Sequence, residues 1–234
     1  MPKRKKFTTL YGADKPGDPG FDLTMHPKNS IIDGIKEESF ASTLKRKAGA
    51  AAMRVIAGTA RGKNLAALPG EDVTRPTINR VKEAMFSSVQ FLLPGAQVLD
   101  LFAGSGQLGI EALSRGAAQC TFLDASPDAV KIVTANCRTA GVQDRARISC
   151  GDAFNYLHTA RGPFDLVLLD PPFAHGTLAK VLPVLERSVA PGGVVLCESE
   201  LEAELPPQAG SLQLVKQYKY GKILVSRYER EGQP

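Results

Sequence analysis

The sequence predicts an α/β domain of the doubly wound, Rossmann-like type, in which helices cover both faces of a mostly parallel β-sheet. The first observation is that short apolar runs alternate with helical segments over most of residues 94–230. The second is a glycine-rich turn directly after the first apolar run, at the sheet edge where such folds bind ligands. The third is a pair of strand-like segments near the end of the sequence, separated by a glycine turn. A parallel sheet that closes with an antiparallel hairpin is therefore expected.

Residues 53–93 are predicted to form a small β-hairpin and a helix in front of this sheet. Residues 54–57 and 63–67 have the composition of short strands around a turn at residues 58–62. Pro76 suits the first turn of a helix, and the Leu-Pro-Gly sequence at residues 93–95 ends it. The apolar residues between them recur near a 3.6-residue period and are Ile78, Val81, Met85, Val89 and Leu92 or Leu93.

The rest of the chain supplies the strands and helices of the sheet in order. Helical patterns separate the strand-like runs, as parallel strands require. The predicted strands are residues 97–101, 119–124, 146–149, 164–169 and 194–198. The predicted helices are residues 108–115, 127–140, 153–158 and 177–189. The closing hairpin comprises residues 212–219 and 222–228 around Gly221, which brings the sheet to seven strands.

The first 52 residues differ from the rest of the chain in composition. Scattered Gly, Pro, Ser and Lys residues with no sustained apolar period predict a largely disordered basic leader, with at most a short helix at residues 31–47. Met53 begins a new pattern, and a translation start at Met53 is the alternative interpretation of the leader. We therefore predict three parts: the leader (1–52), the hairpin and helix (53–93) and the α/β domain (94–230).

Composition argues against several classes of protein. Hydrophobic residues make up 43% and charged residues 23% of the 234 residues, and no apolar run approaches the roughly 20 residues that span a bilayer. A cytoplasmic protein without a membrane partner is therefore expected. The four cysteines form no C-x-x-C pair and the chain has only three histidines, so no metal site is expected. The cysteines are predicted to be buried, reduced thiols.

Positive charge is concentrated near the beginning of the chain. The formal net charge is +5, and residues 1–52 carry 10 Lys/Arg against 6 Asp/Glu. A second excess lies in residues 54–82, where the acidic residues are only Glu71 and Asp72. Such a stretch suits a phosphate backbone, although a solvated surface is the simpler interpretation. Its basic residues are Arg54, Arg61, Lys63, Arg75, Arg80 and Lys82.

A glycine loop follows the first predicted strand of the sheet, in the sequence Val-Leu-Asp-Leu-Phe-Ala-Gly-Ser-Gly at residues 98–106. Its glycines let the backbone approach a ligand closely, but the pattern G-x-G-x-x-G fits a nicotinamide dinucleotide as well as adenosylmethionine. Asp124, at the end of the second strand, is placed to accept hydrogen bonds from ribose hydroxyls. Asp152, after the third strand, is expected beside an adenine ring. For both carboxylates, a position at a helix N-terminus is the structural alternative.

The sequence Asp170-Pro171-Pro172-Phe173 ends the fourth strand, across the crevice from the glycine loop. An exocyclic amine of a nucleobase is a poor nucleophile, because its lone pair is delocalised into the ring. The Asp170 carboxylate and the Pro171 carbonyl can each accept one amino hydrogen and so orient the lone pair toward a sulfonium methyl. The prolines stiffen the loop, and Phe173 offers a face for base stacking. These residues indicate methyl transfer to a base amine, with a Pro-Pro turn whose Asp caps a helix as the alternative.

Together these segments resemble the bacterial RsmD family of 16S ribosomal RNA guanine-N2 methyltransferases. The resemblance rests on residues 54–63, 75–86, 102–106 and 170–173, and it covers about residues 53–230. It implies the class I adenosylmethionine-dependent methyltransferase fold, S-adenosylmethionine as cofactor, and 16S rRNA in an assembled small ribosomal subunit as substrate. The implied cofactor-binding residues are Asp100, Phe102, Ala103, Gly104, Ser105, Gly106, Asp124, Ala125, Asp152 and Ala153. The residues implied for the guanine are Asp170, Pro171, Pro172 and Phe173, and those for RNA are Arg54, Arg61, Lys63, Arg75, Thr77, Arg80 and Lys82.

Three alternatives remain open. An N6-adenine methyltransferase of DNA or RNA uses a similar tetrapeptide, but Tyr or Trp is more typical of it at the position of Phe173. A nicotinamide oxidoreductase fits the glycine pattern and has no use for Asp-Pro-Pro-Phe. A non-catalytic RNA-binding assembly factor fits the basic segment, and the presence of Asp170 argues against it. We expect the enzyme to be a monomer without a metal.

Overall fold

The computed structural model describes residues 53–68, 76–159, 162–172 and 176–232. The predictions for the leader, for Arg75 and for Phe173 lie outside these residues. The strands are β1 (Met53–Arg54), β2 (Asn64–Leu65), β3 (Gln97–Asp100), β4 (Gln119–Asp124), β5 (Ala146–Cys150), β6 (Phe164–Leu169), β7 (Val189–Glu200), β8 (Gln208–Ala209), β9 (Leu212–Tyr220) and β10 (Ile223–Arg230). The helices are α1 (Pro76–Ser88), α2 (Gln107–Ser114), α3 (Pro127–Ala140), α4 (Ala153–Thr159) and α5 (Thr177–Leu185), with 3₁₀ turns at Gln143–Arg145 and Glu186–Ser188.

Eight strands form one sheet in the order β5-β4-β3-β6-β7-β10-β9-β8. The first five are parallel to one another, whereas β10 runs antiparallel to both β7 and β9. From β3 the chain proceeds to β4 on one side and later returns to β6 on the other. A crevice therefore forms at the carboxyl ends of these strands. The predicted doubly wound sheet with a terminal antiparallel hairpin is confirmed.

Two apolar cores lie on opposite faces of the sheet. Successive side chains of a strand point to opposite faces, so Val98 joins one core while Leu99 joins the other. The first core also contains the apolar faces of α1, α2 and α3, and the second contains those of α4 and α5. Because both faces are covered, the central strands are apolar at nearly every position, as parallel strands buried on both sides must be.

The sheet has eight strands where seven were predicted, because the two-residue strand β8 pairs with the start of β9 through a turn at Gly210. Strand β7 is also longer than the predicted residues 194–198, since it begins at Val189 opposite Phe164. The Pro-Gly-Gly sequence at residues 191–193 is typical of a turn, but it lies at a register shift within the strand. Helix α5 accordingly ends at Leu185, before the predicted end at residue 189.

The N-terminal hairpin is held on α2 by two buried polar side chains. Its strands pair over only two residues each, fewer than predicted, because the backbone after β1 is bonded to side chains of α2. The Glu111 carboxylate, which is 0% exposed, accepts hydrogen bonds from the backbone N–H groups of Ile56 at 2.8 Å and Ala57 at 3.0 Å. The Ser114 hydroxyl accepts one from the Ala60 N–H at 2.9 Å. The hairpin is therefore part of the packed structure around α2.

Three of the four cysteines are buried thiols, as predicted, whereas Cys150 at the end of the edge strand β5 is exposed. Within the described ranges, no helix is long and apolar enough to cross a membrane. The described residues likewise contain no cluster of three His, Cys, Asp or Glu side chains that could hold a metal ion.

Candidate active site

The glycine loop runs from the end of β3 to the start of α2 and is tied to the neighbouring strand β4. Gly104 and Gly106 have positive φ angles of 52° and 77°, which side chains disfavour. The Gly104 N–H donates to the Asp124 carboxylate at 2.8 Å, and the Ala103 N–H donates to the Leu123 carbonyl at 3.0 Å. The loop therefore lies across the carboxyl ends of β3 and β4, where its glycines leave the backbone open to a ligand.

Asp124 is fixed by two backbone hydrogen bonds, one to each carboxylate oxygen. One oxygen accepts from Gly104 and the other accepts from the Ser126 N–H at 2.8 Å. The cap of α3 is Ser126, whose hydroxyl accepts from the Ala129 N–H at 3.3 Å, so Asp124 does not serve as that cap. A carboxylate has about four acceptor positions, and Asp124 is only partly buried. Its oxygens can therefore still accept hydroxyl hydrogens of a ligand.

Asp100 lies beneath the glycine loop rather than on its surface. The residue is 1% exposed, and its carboxylate accepts a hydrogen bond from the Gly109 N–H in α2 at 2.9 Å. Burial raises the pKa of Asp100 to about 7; the bond from Gly109 opposes this rise, and the charges of Asp170 and Asp124 add to it. Asp170 and Asp124 are therefore close enough for their charges to disfavour ionisation of Asp100. Phe102, two residues further on, is partly buried.

Ser105 connects the glycine loop to the N-terminal hairpin. Its buried hydroxyl donates to the Met53 sulfur at 3.2 Å, and its carbonyl accepts from the Asn136 side-chain amide at 2.8 Å. The side-chain oxygen of Asn136 also accepts the Ala66 N–H, and its side-chain nitrogen donates to the Ala66 carbonyl, each at 2.8 Å. Sequence reasoning missed Asn136, and the signal that could have found it is a polar residue on the apolar face of α3.

Asp152 lies at the start of α4, where its carboxylate accepts the Asn155 N–H at 2.9 Å. It is therefore a helix cap, and its exposed position also leaves oxygen lone pairs open at the crevice. Ala153 behind it is buried. Ala125, the neighbour of Asp124, is exposed, and its carbonyl accepts a weak bond from the Cys150 thiol at 3.6 Å.

Asp170 directly follows β6 and is partly buried, and of the two prolines after it Pro171 is buried and Pro172 is exposed. The Leu101 N–H at the start of the glycine loop donates to the Leu168 carbonyl near the end of β6 at 3.1 Å. The glycine loop and the Asp-Pro-Pro segment therefore leave adjacent strands at the same edge of the sheet.

A cavity of about 360 Å³ opens beside the Asp-Pro-Pro segment, between it and the end of β7. Its lining includes Pro171, Pro172 and Glu198. Burial, followed by the negative charge of Asp170, raises the pKa of Glu198 to about 8. The sequence analysis did not single out Glu198. The available signal was a carboxylate at the end of an apolar strand, because carboxyl ends of parallel strands meet at one edge.

The basic residues predicted to contact RNA fall into two groups, one exposed and one buried. Those on the surface of the hairpin and of α1 have exposed side chains, and Thr77 lies in the first turn of α1. The exposed cations are Arg54, Arg61, Lys63 and Arg80.

The structure corrects the prediction that Lys82 is one of the cations available to RNA. Its side chain is buried, with Nζ 2.8 Å from the Arg54 carbonyl and 3.5 Å from the Glu111 carboxylate. Burial lowers the pKa of Lys82, and the Glu111 charge opposes that effect. An ammonium in this place links the hairpin to α2 and is not available to a phosphate group.

The strand order and the site together define the class of protein. A parallel sheet extended by an antiparallel strand inserted next to β7, with a glycine loop after β3 and an acidic residue after β4, is the arrangement of class I adenosylmethionine-dependent methyltransferases. The class predicted from the sequence is confirmed.

Comparison with known proteins identifies the family. A family model described as "Conserved hypothetical protein 95" matches residues 53–229. "Ribosomal RNA small subunit methyltransferase D" of Escherichia coli (strain K12) is 34% identical over 187 residues, which are 79% of this chain and 93% of that protein. "Putative rRNA methyltransferase YlbH" of Bacillus subtilis (strain 168) is 37% identical over 185 residues, 77% of this chain and 100% of that protein.

A solved structure agrees with these relatives. "Putative methyltransferase yhhF from Escherichia coli" superimposes with a TM-score of 0.68 at 33% identity, covering 78% of this chain and 99% of that chain. The chain therefore belongs to the family of ribosomal RNA small subunit methyltransferase D.

Proposed function

We propose that the protein transfers a methyl group from S-adenosylmethionine to the exocyclic N2 of a guanine in 16S ribosomal RNA, within the small ribosomal subunit. The observation that carries the proposal is the placement of Asp170 and Pro171 on the strand next to the glycine loop. When bound, adenosylmethionine supplies a methyl group on a positively charged sulfur. The residues at the crevice fit this cofactor, because Asp124 can accept ribose hydroxyls and Gly104 and Gly106 keep the loop backbone accessible.

Asp170 and Pro171 act on the nucleophile. The carboxylate and the carbonyl each accept one hydrogen of the N2 amine, which turns its lone pair toward the methyl carbon. Transfer of the methyl group to the nitrogen, with cleavage of its bond to sulfur, would leave positive charge on the amine. The negative charge of Asp170 stabilises that charge, and the amine then releases a proton to the carboxylate or to water.

The surface around the crevice supports an RNA substrate. Arg54, Arg61, Lys63 and Arg80 are exposed cations on the hairpin and α1, and cations of this kind bind phosphates in proportion to their number. The relatives from Escherichia coli and Bacillus subtilis are named as rRNA methyltransferases. We infer from both that the enzyme acts on small subunits in the cytoplasm.

The test is incorporation of tritiated methyl groups into small ribosomal subunits from cells that lack the enzyme. Asp170→Ala is expected to abolish transfer while adenosylmethionine still binds, because the carboxylate acts on the amine. Asp170→Asn is expected to retain measurable activity, since its amide oxygen can accept one hydrogen but carries no charge. Asp165→Asn on the same strand is the matched control, because its amide oxygen can still accept the Gln97 N–H.

Digestion of the product to nucleosides identifies the modified base. N2-methylguanosine is the expected product, and N6-methyladenosine would replace the proposed substrate with the adenine alternative. Near-native turnover of Asp170→Ala would contradict the assigned role of the carboxylate.

A further inference from the structure

Glu198 and Asp170 are neighbours on adjacent parallel strands. Leu169 of β6 pairs with Cys197 of β7, and both side chains lie in the core formed with α4 and α5. Asp170 and Glu198 are the next residues along the chain after this pair. Parallel strands lie about 4.8 Å apart, so two carboxyl groups stand side by side at the edge of the sheet where the target base is proposed to bind.

The cavity next to this pair can hold a flat ring. It has a volume of about 360 Å³, at the lower end of the range for small-molecule sites. The two prolines of the Asp-Pro-Pro segment line one part of it, and Leu178 and Ala179 of α5 add apolar surface. The carboxyl of Glu198 belongs to the same lining. The walls thus combine apolar surface with carboxyl groups from the end of β7 and the segment after it.

The charge of the cavity selects the kind of group that can enter. Among the residues that the structure describes, the titratable groups that line it are all acidic and come from the end of β7 and the segment after it. Helix α5 contributes none, since its lining residues are Thr177, Leu178 and Ala179. Carboxyl groups repel phosphates and accept hydrogen bonds, so the cavity favours a group rich in N–H donors over a phosphate. The acidic lining residues are Glu198, Glu200, Glu202 and Glu204.

We propose that Glu198 is a specificity-determining residue, whose ionised carboxylate accepts the ring N1–H of the guanine while Asp170 accepts the neighbouring N2 amine. This inference rests on the proposed function. The Watson–Crick edge of guanine presents N1–H and N2–H₂ side by side, as two donors for two carboxylates. Adenine presents an acceptor nitrogen next to its amine, which an ionised carboxylate repels. The pair therefore explains guanine recognition by its chemistry.

The proposal is tested by the pH dependence of kcat/KM on small subunits lacking the modification. In the free enzyme, burial and the charge of Asp170 raise the pKa of Glu198 to about 8, so the accepting form grows as the pH rises. From about pH 6.5 to pH 8.5 the ionised fraction, and with it kcat/KM, should rise about 25-fold. In Glu198→Gln the amide oxygen accepts N1–H without titrating. Its kcat/KM should be about 5- to 30-fold below the wild-type plateau and should lose that rise.

Glu231→Gln is the matched control, since it removes the same charge at an exposed position directly after β10, and Glu231 does not line the cavity. Its profile should follow the wild type. Asp100, whose pKa is raised to about 7, is unchanged in both variants, so the difference between their profiles isolates Glu198. An unchanged melting temperature of Glu198→Gln would show that the fold is retained.

The proposal is overturned if folded Glu198→Gln keeps the wild-type rate and pH profile while the wild type makes N2-methylguanosine. A wild-type product other than N2-methylguanosine would instead refute the proposed function, so the two failures are distinguishable.

Discussion

Replacing Glu111 with alanine tests whether the N-terminal hairpin is held by one buried carboxylate. In the native structure Glu111 accepts the N–H groups of Ile56 and Ala57 and lies 2.8 Å from the Arg115 Nε and 3.5 Å from the Lys82 Nζ. Substitution by alanine removes the carboxylate and therefore all four of these contacts at once. Two backbone N–H donors then lose their acceptor, and the buried Lys82 ammonium loses its counter-charge and keeps only the Arg54 carbonyl.

The expected loss of stability is large. Removing one partner of a buried ion pair costs about 3 to 5 kcal/mol, because the remaining charge is left uncompensated. For a folded part of this size each kcal/mol lowers the melting temperature by about 2 to 4 °C, so a fall of about 6 to 20 °C is expected. Glu111→Gln should lose less, since its amide oxygen can still accept one backbone N–H. Loss of Glu111 also removes the charge that counteracts the lowering of the Lys82 pKa by burial, so Lys82 should become neutral more readily.

The free energy of unfolding is measured by urea titration with far-ultraviolet circular dichroism as the signal. Glu83→Gln, on the exposed side of α1, removes the same charge from an exposed side chain and should change stability by less than about 0.5 kcal/mol. A loss below about 1 kcal/mol for Glu111→Ala would refute the reasoning, because it would mean that the carboxylate and its four partners contribute no more than a surface ion pair.

Two further predictions concern binding. Asp124→Ala should weaken adenosylmethionine binding by about 1 to 3 kcal/mol in calorimetry, the range for losing a hydrogen bond to a charged group, and an unchanged affinity would contradict the assigned contact. Arg61→Ser combined with Lys63→Ser should weaken binding to small subunits and reduce its dependence on salt, with melting temperature unchanged because both side chains are exposed. Equal salt dependence in this variant and the wild type would show that this surface does not meet RNA.

Local signals in the sequence were sufficient for most of the sheet. β4, β6 and α3 have the predicted bounds, because apolar runs and the Ser126-Pro127 helix start are encoded by adjacent residues. The start of β7 was missed because its pairing with Phe164 depends on a residue 25 positions earlier in the chain, which no local pattern reveals.

The placement of a candidate site residue in the fold could be predicted where it depends on local sequence, and not where it depends on an interaction between two distant residues. Asp124 ends β4 and Asp170 directly follows β6, and a carboxylate at the end of an apolar run is visible in the sequence. The burial of Lys82 depends on Glu111 in another helix, and a basic residue in a basic segment gives no sign of such a partner. Glu198 acquires its environment from Asp170, which lies on a different strand.

The contacts of Asn136 limit how this protein can be recombined with its relatives. A chimaera that takes residues 53–68 from another family member inherits a hairpin shaped to the side chains at positions 111, 114 and 136 of that relative. Unless those three positions are exchanged with it, the hairpin meets foreign hydrogen-bond partners, and the strain passes through Asn136 to the Ser105 carbonyl in the glycine loop. We therefore expect an exchange of the hairpin alone to alter the affinity for adenosylmethionine as well as any contact that the hairpin makes with the substrate.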